Sequence, residues 1–312
     1  MEYRETQWNG MKAVLLRAGD LDALILPDMG ANCISLVHRS SGCSLLRTPA
    51  DPGALHSAPN VYGLPLLFPP NRIREGAFEF EGRRYVFPIN EPERNTHIHG
   101  VLSALPFAWA GKGRFVFRAG KANPYLHFPH AFTVIREYAP DENGGIRHTV
   151  TFVNDSPLSM PLGTGIHAAW RIPFSEEDGV QAYRLTVPVL REWLLDADRK
   201  LPAGSFSDNS PLLASLRNGS LIPDAHPLSA LLECSEGPVI LSGPRGRLIC
   251  QRDEYRFIML WNGGGGQGFV CPEPQSWATD APNLALSWSE TGMRAIAPGE
   301  SASFRLTFSF DA

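Results

Sequence analysis

The sequence predicts an all-β fold built of large antiparallel sheets, and three observations lead to this prediction. Short apolar runs rich in β-branched and aromatic residues recur along the whole chain. The 29 glycines and 27 prolines of the 312 residues are dispersed between these runs, where they mark turns. Long stretches of helical periodicity are nearly absent. These features are typical of many short strands packed in stacked sheets.

Two segments predict β-hairpins most clearly. In the first, Ala77–Phe80 alternates apolar and polar residues, Glu81-Gly82 forms the turn, and the chain returns through Arg84–Phe87. The second runs from Phe132 to Val153, and both of its arms are rich in β-branched and aromatic residues around an Asp- and Gly-containing turn.

Further strands are predicted in the second half of the chain. They lie at Tyr183–Val187, Leu228–Cys234, Val239–Ser242, Leu248–Gln251, Phe257–Trp261 and Ser303–Phe310. A turn or two of helix is predicted at Leu212–Leu216. No repeat, low-complexity linker or charge block marks a domain boundary, so we expect residues 1–312 to form a single domain.

Composition and charge exclude several classes of function. The chain has 28 Lys and Arg residues against 32 Asp and Glu residues, a net charge of −4, and this balance argues against a nucleic-acid partner. No apolar run approaches the ~18–20 residues of a membrane-spanning helix. The five cysteines form no C-x-x-C pair, and the N-terminus shows no signal-peptide pattern. We therefore expect a cytoplasmic protein with reduced thiols.

The first cluster that can carry chemistry is the proline-rich segment Gly63–Ile73. Its three prolines predict a rigid, extended backbone that presents Asn71 and Arg72 just before the first hairpin. An arginine fixed in this way can donate two parallel hydrogen bonds to hydroxyl groups or to a carboxylate. The alternative interpretation is a surface arginine or a structural ion pair.

Three histidines are further candidates. His97 and His99 are two residues apart, so on a strand both imidazoles would face the same side, as in a metal pair or a pocket for a polar substrate. A metal site needs at least a third ligand, which the spacing does not supply, and hydrogen-bonded structural histidines are an equal alternative. His167, which lies close to Trp170, is by itself more typical of a structural histidine.

A glycine-rich segment at 262–268 precedes the last candidate, Glu273. The glycine run lacks the Lys-Ser/Thr of a phosphate-binding loop and is more simply a flexible loop. Glu273 lies between Pro272 and Pro274, which restrict the backbone, so its carboxylate could act as a positioned general base. Taken alone, the pattern favours an exposed loop glutamate.

In their order along the chain, these motifs resemble the aldose 1-epimerase family, also called galactose mutarotases. The resemblance rests on Gly30-Ala31, Asn71-Arg72-Ile73 with Gly76 and Phe78, His99-Gly100, Gly165-Ile166-His167, Glu273-Pro274-Gln275 with Asp280-Ala281 and Asn283, and Pro298-Gly299-Glu300-Ser301. It implies a galactose mutarotase-like β-supersandwich. It also implies an isomerase that interconverts the α and β anomers of a free aldose without a cofactor or a metal.

The resemblance also implies roles for individual residues. Glu273 would be the general base that takes the anomeric hydroxyl proton, and His167 the acid that protonates the ring oxygen as the ring opens. The implied sugar-binding residues are Arg72, His99, Asn71 and, by a looser match, Asp224. The implied partner is a small-molecule sugar, and we expect a monomer or a homodimer.

Two departures from the family pattern leave the substrate open. Val101 follows His99-Gly100 where many members have glycine, and Ala168-Ala169-Trp170 follows His167 where many have proline and an aromatic residue. One alternative is an epimerase of a hexose phosphate, which needs a second cation near Arg72, with Arg74 and Arg94 as candidates. The other is a carbohydrate-binding module that has lost catalysis.

Overall fold

The computed structural model describes residues 2–312, and most of its regular structure is antiparallel strand. The N-terminal part of the chain forms a five-stranded sheet in which each strand pairs with the next one along the sequence. Its strands are Glu2–Trp8, Met11–Ala18, Leu21–Leu26, Asn32–His38 and Cys43–Ser44. The first three of these strands were not predicted, and Glu2–Trp8 is exposed or half-exposed along its whole length without a regular alternation.

A second sheet has eight strands and contains the long predicted hairpin. In hydrogen-bonding order its strands are Ala108–Trp109, Arg114–Ala119, Phe132–Pro140, Ile146–Asn154, Ser301–Asp311, Gly246–Asp253, Val239–Gly243 and Arg184–Thr186. Residues of Ile146–Asn154 alternate between buried and half-buried along the whole strand, so one face of the sheet covers the core.

The third sheet carries the side chains of the candidate site. In hydrogen-bonding order its strands are Pro202–Ser207, Val189–Leu195, Ser229–Cys234, Phe257–Trp261, Phe269–Gln275, Gly165–Ile166 and Leu66–Leu67, and Trp170–Arg171 also pairs with Phe269–Gln275. Every residue of Phe269–Gln275 is buried, as expected for a central strand covered on both faces.

Short elements connect and cover these sheets. Two-stranded pairs are formed by Arg72–Arg74 with Thr96–Ile98, Ala77–Phe80 with Arg83–Val86, and Met160–Leu162 with Arg294–Ile296. The α-helices are Pro52–Ser57, Pro211–Asn218 and Trp288–Thr291, and the 3-10 turns are Pro92–Arg94, Leu102–Ala104, Val180–Ala182 and Ala281–Asn283. None of the helices within residues 2–312 is long and apolar enough to cross a membrane.

The prediction of an all-β fold in large antiparallel sheets is confirmed. Both predicted hairpins form, and the helix predicted at Leu212–Leu216 extends over Pro211–Asn218. A single large apolar cluster, which includes Val14, Phe132 and Ile258, draws residues from all three large sheets. All five cysteines are buried free thiols.

Candidate active site

Most of the residues singled out in the sequence meet in one cavity of about 420 Å³. Asn71, Arg72, His99, His167 and Glu273 all line it, although they lie on four separate segments of the chain. The volume falls in the range of small-molecule sites in proteins. The cavity is therefore the candidate site, and its chemistry depends on how the fold holds each of these side chains.

Glu273 lies on a central strand and is 2% exposed, so the interpretation of an exposed loop glutamate was wrong. The strand Phe269–Gln275 pairs with Phe257–Trp261 on one side and with Gly165–Ile166 on the other. Met259 is the residue opposite Glu273. Successive side chains on a strand face opposite sides, so Gln275 faces the same side as Glu273. The Gln275 amide donates to Glu273 Oε2 over 3.3 Å.

His167 follows directly after the short strand Gly165–Ile166. Its backbone N–H donates to the carbonyl of Pro65 over 3.0 Å. Gly165 is needed at this approach, because a Cβ there would lie 2.9 Å from the Pro274 carbonyl. These contacts place His167 Nε2 3.2 Å from Glu273 Oε1.

His97 and His99 do not face the same side, and this part of the prediction was wrong. The strand Thr96–Ile98 ends before His99, whose φ of +65° turns the chain into the left-handed region. His97 is fully buried, pairs with the carbonyl of Pro88 over 2.7 Å and packs on Phe87. His99 alone of the two lines the cavity, with its ring centroid 5.4 Å from that of His167.

Gly100 makes the turn at His99 possible. Its φ is +64°, and a Cβ at this position would lie 1.9 Å from the carbonyl of Phe68. The backbone of His99 is held on both sides, since its N–H donates to the Asn71 carbonyl and its own carbonyl accepts from Phe68. The His-Gly pair is thus the local feature that aims the His99 ring into the cavity.

Burial controls the protonation of Glu273 and His167 in the cavity. Burial raises the pKa of Glu273 to about 8, an effect that Arg72 partly offsets. Burial also lowers the pKa of His167 to about 4. Near neutral pH the pair therefore holds one proton, and burial favours a carboxylic acid beside a neutral imidazole over an ion pair. Their contact provides a direct path by which that proton can move between them.

Arg72 is fixed by an acidic residue that the sequence analysis did not single out. Its Nε donates to Glu91 Oε2 over 2.7 Å and its Nη2 to Glu91 Oε1 over 2.9 Å, a bidentate ion pair. Thr96 Oγ1 donates to the same carboxylate. Although burial pushes the pKa of Glu91 upward, the hydrogen bonds from Arg72 and Thr96 hold it below its usual value.

Asn71 takes part in the same arrangement. It is 2% exposed and has a φ of +56°, and its side-chain oxygen accepts from the backbone N–H of Arg72 over 3.0 Å. The Asn71 carbonyl also accepts from the backbone N–H of His99. Asn71 therefore links Arg72 to the turn at His99, and the three residues form one wall of the cavity. That wall presents a guanidinium edge and an amide, which are groups that bind hydroxyl oxygens.

The structure does not bring Asp224 into the cavity lining. Its two carboxylate oxygens accept from the backbone N–H groups of Gln267 and Gly268, each over 3.0 Å. Its carbonyl also accepts from Gly266. Asp224 is thus occupied in holding the glycine-rich loop, and the loop in turn contributes Gly264 to the cavity. The loop is anchored by these contacts, in contrast to the simple flexible loop predicted from its composition.

His99, His167 and Glu273 form one compact group of donors. One ligand atom from each lies within 4.8 Å of the others. His97 is not part of this group, and His167 and Glu273 supply the two further donors beside His99. Two imidazoles with one carboxylate are a set that zinc accepts. The same three groups also suit proton transfer to and from a bound molecule.

A comparison with known families agrees with this geometry. The family model described as aldose 1-epimerase matches residues 12–309. The chain belongs to the aldose 1-epimerase family. The resemblance seen in the sequence motifs is thereby confirmed, and the family's model extends over all three large sheets.

Two solved structures show the same fold. A galactose mutarotase-like protein from Clostridium acetobutylicum is 28% identical, with 99% of this chain and 98% of that chain covered and a TM-score of 0.94. Galactose 1-epimerase from Lactobacillus acidophilus is 12% identical, with 99% and 98% covered and a TM-score of 0.75, and this match supports the fold alone.

A curated relative matches part of the chain. The uncharacterized protein YihR of Escherichia coli K12 is 28% identical over 157 residues, which are 50% of this chain and 49% of that protein. The match thus spans about half the length of this relative.

The sequence offers Trp170, Trp261, Trp277 and Tyr62 as aromatic residues for a sugar but does not show which of them line the cavity. Trp261 is the one tryptophan in the described chain that lines it, whereas Trp170 and Trp277 are buried elsewhere in the core. Lys200 lines the cavity from the hairpin loop that joins Val189–Leu195 to Pro202–Ser207. Lys200 was missed in the sequence because it stands in no motif, so only the pairing of distant strands reveals it.

Proposed function

We propose that the protein is an aldose 1-epimerase, an isomerase that interconverts the α and β anomers of a reducing sugar. The observation that carries the proposal is the contact of 3.2 Å between His167 Nε2 and Glu273 Oε1 inside the cavity. An acid and a base this close can both reach one bound sugar, one at the anomeric hydroxyl and the other at the ring oxygen.

The reaction follows from the single proton of this pair. With the proton on His167, the Glu273 carboxylate takes the proton of the anomeric hydroxyl while His167 protonates the ring oxygen, and the C1–O5 bond breaks. The products of this step are an open-chain aldehyde, a neutral imidazole and a carboxylic acid, the distribution that burial favours. Rotation about C1–C2 exposes the other face, and the reverse transfers close the ring.

The remaining groups of the cavity would bind and orient the sugar. The guanidinium of Arg72 and the amide of Asn71 can donate to sugar hydroxyls, and Trp261 offers an apolar ring face. Burial, and then the neighbouring His167, hold the pKa of His99 well below its ordinary value. His99 is therefore a neutral imidazole that can donate to one hydroxyl and accept from another.

The test is the relaxation of freshly dissolved α-D-galactose and α-D-glucose, followed by polarimetry with and without the protein. We expect acceleration above the buffer rate, and we expect Glu273→Gln to reduce it at least about a hundredfold, since positioned acid–base catalysis contributes 10²–10⁴. Glu79→Gln, at an exposed position, is the matched control and should keep the full rate.

Two outcomes would count against the proposal. A Glu273→Gln protein with a normal rate would remove the proposed base. Sugar binding by calorimetry with no acceleration for any reducing sugar would instead favour a carbohydrate-binding module. Because the proposed steps use only protein side chains as acid and base, we also expect the rate to survive dialysis against EDTA, and its loss would point to a metal on His99, His167 and Glu273.

A further inference from the structure

The cavity has an excess of positive side chains that a neutral sugar does not explain. Arg72, Arg94 and Lys200 line it, and Glu273 is the one carboxylate among its described lining residues. The proposed acid–base chemistry uses Glu273 and His167, and one arginine suffices to orient a hydroxyl. Arg94 and Lys200 therefore need a separate explanation.

Arg94 is only partly neutralised by its neighbours. Its Nη1 contacts Glu91 Oε1 over 3.2 Å and Glu93 Oε1 over 3.0 Å. The Glu91 carboxylate already forms a bidentate ion pair with Arg72, and the Glu93 carboxylate is exposed to solvent. The Nε of Arg94 is buried and has no hydrogen-bond partner within residues 2–312. Arg94 thus lines the cavity with a guanidinium that its two carboxylate neighbours satisfy only in part.

Lys200 has no charged partner at all in the described chain. None of the ion pairs of residues 2–312 involves it, and it is half-buried at the cavity wall. Its loop is held in place, because the Asp196 carboxylate accepts from the backbone of Arg199 and Leu201. An ammonium on a fixed loop facing a cavity is suited to bind an anion.

Arg74, the other cation considered in the sequence, does not take part. Its Nε lies 3.3 Å from Asp280 Oδ2, and it is absent from the cavity lining. The unmatched positive charge is thus confined to Arg94 and Lys200.

We propose that the preferred sugar carries an oxyanion substituent, a carboxylate or a phosphate, which Lys200 binds together with Arg94. This inference rests on the proposed epimerase function and assigns its substrate class. Lys200 is then the residue that determines specificity, while His167 and Glu273 act at the anomeric carbon. Charge-assisted hydrogen bonds from both cations would give the anionic sugar an advantage over its neutral counterpart.

The experiment compares anomer exchange at equilibrium by magnetisation-transfer NMR for D-glucose, D-glucose 6-phosphate and D-glucuronate. We expect kcat/KM for at least one anionic sugar to exceed that for glucose by about tenfold or more. In Lys200→Met, the ratio of the anionic to the neutral kcat/KM should fall by about tenfold. Lys121→Met, at an exposed position outside this cavity, is the control and should leave the ratio unchanged.

The outcomes separate the two proposals. Exchange of glucose with no preference for either anionic sugar would overturn the specificity while leaving the epimerase in place. An anionic preference that survives Lys200→Met would overturn the role of Lys200. No exchange of any of the three sugars would mean that the epimerase function itself has failed. Comparison of the phosphate and the carboxylate identifies which oxyanion the site takes.

Discussion

His167 Nε2 and Glu273 Oε1 lie 3.2 Å apart in a site where burial lowers the pKa of His167 and raises that of Glu273, so that the neutral form of each side chain is favoured. The pair gains its second proton only in acid, near the His167 pKa of about 4, and loses its last proton near the Glu273 pKa of about 8. Between these limits the pair holds one proton, as ring opening requires.

The first prediction is therefore a pH profile. We expect kcat/KM for anomer exchange to be level between about pH 4 and about pH 8. Above that range it should fall about tenfold per pH unit, because the pair then has no proton to give to the ring oxygen. NMR exchange rates, corrected for buffer and hydroxide catalysis, provide the measurement.

The control for this profile is His56→Gln, which removes an exposed imidazole outside the cavity and should leave the profile unchanged. A rate that instead rises through pH 8 would contradict the prediction. It would mean that the ionised Glu273 acts as base with an acid other than His167.

A second prediction concerns stability. The folded-state pKa of Glu273, about 8, is raised above its unfolded value, so the folded state binds the proton more tightly. Stability is therefore lost as pH rises above the unfolded pKa, and the loss is complete above pH 8. Because one pKa unit corresponds to about 1.4 kcal/mol, Glu273→Gln should be more stable than the native chain at pH 9 by a few kcal/mol.

Urea unfolding at pH 5 and at pH 9 tests this prediction. The stability difference between Glu273→Gln and the native chain should grow in favour of glutamine as pH rises. Glu79→Gln should show no such growth, since Glu79 is exposed. Equal pH dependence in all three proteins would show that Glu273 ionises in the folded state as easily as in the unfolded one.

Local sequence patterns predicted the hairpins, because alternation and turn chemistry are encoded within about ten residues. The environment of Glu273 could not be predicted in this way. Its flanking prolines indicate a loop when read locally, yet pairing with Phe257–Trp261 and Gly165–Ile166 makes the segment a central strand. Burial of that glutamate is a property of the assembled sheets.

The histidines show the same limit. Strand alternation would have placed His97 and His99 on one side, but the left-handed turn at His99 and Gly100 separates them. The family motifs brought His99, His167 and Glu273 to attention, and the structure brings their donor atoms together. Glu91 and Lys200 stand in no motif, so only tertiary contacts connect them with the site.

The third prediction tests Glu91 as a positioning residue. In Glu91→Gln, the neutral amide cannot make the bidentate ion pair, so Arg72 becomes free to adopt other rotamers. We expect KM to rise about tenfold with a smaller change in kcat, since charge-assisted hydrogen bonds are worth about 1.5–3 kcal/mol. Steady-state exchange kinetics give both constants.

Glu93→Gln is the matched control when neutral glucose is the substrate, because Glu93 contacts Arg94 but makes no hydrogen bond to Arg72. The lowered pKa of Glu91 adds a second readout. Its stabilising contribution is present above the unfolded pKa and is lost as pH falls through the folded one, so the stability gap between Glu91→Gln and the native chain should close in acid. A fall in kcat alone, with KM and stability unchanged, would contradict a positioning role.

The fourth prediction concerns Asp224, which the sequence suggested as a sugar ligand and which the structure places beneath the glycine-rich loop. Asp224→Ala leaves the backbone N–H groups of Gln267 and Gly268 without their carboxylate acceptor. We expect the free energy of unfolding to fall by about 1–3 kcal/mol and the loop to exchange its amide hydrogens faster without any sugar. Asp208→Ala, at an exposed position, should change neither quantity.

Hydrogen exchange in the absence of sugar separates the two roles of Asp224. A residue that holds the loop protects the amides of residues 262–268 whether or not a ligand is present. A residue that only binds sugar leaves that protection unchanged in the free protein and alters KM alone. Normal loop protection in free Asp224→Ala, together with a raised KM, would therefore indicate that Asp224 is a direct sugar ligand. Its carboxylate would then have to leave the loop amides when sugar binds.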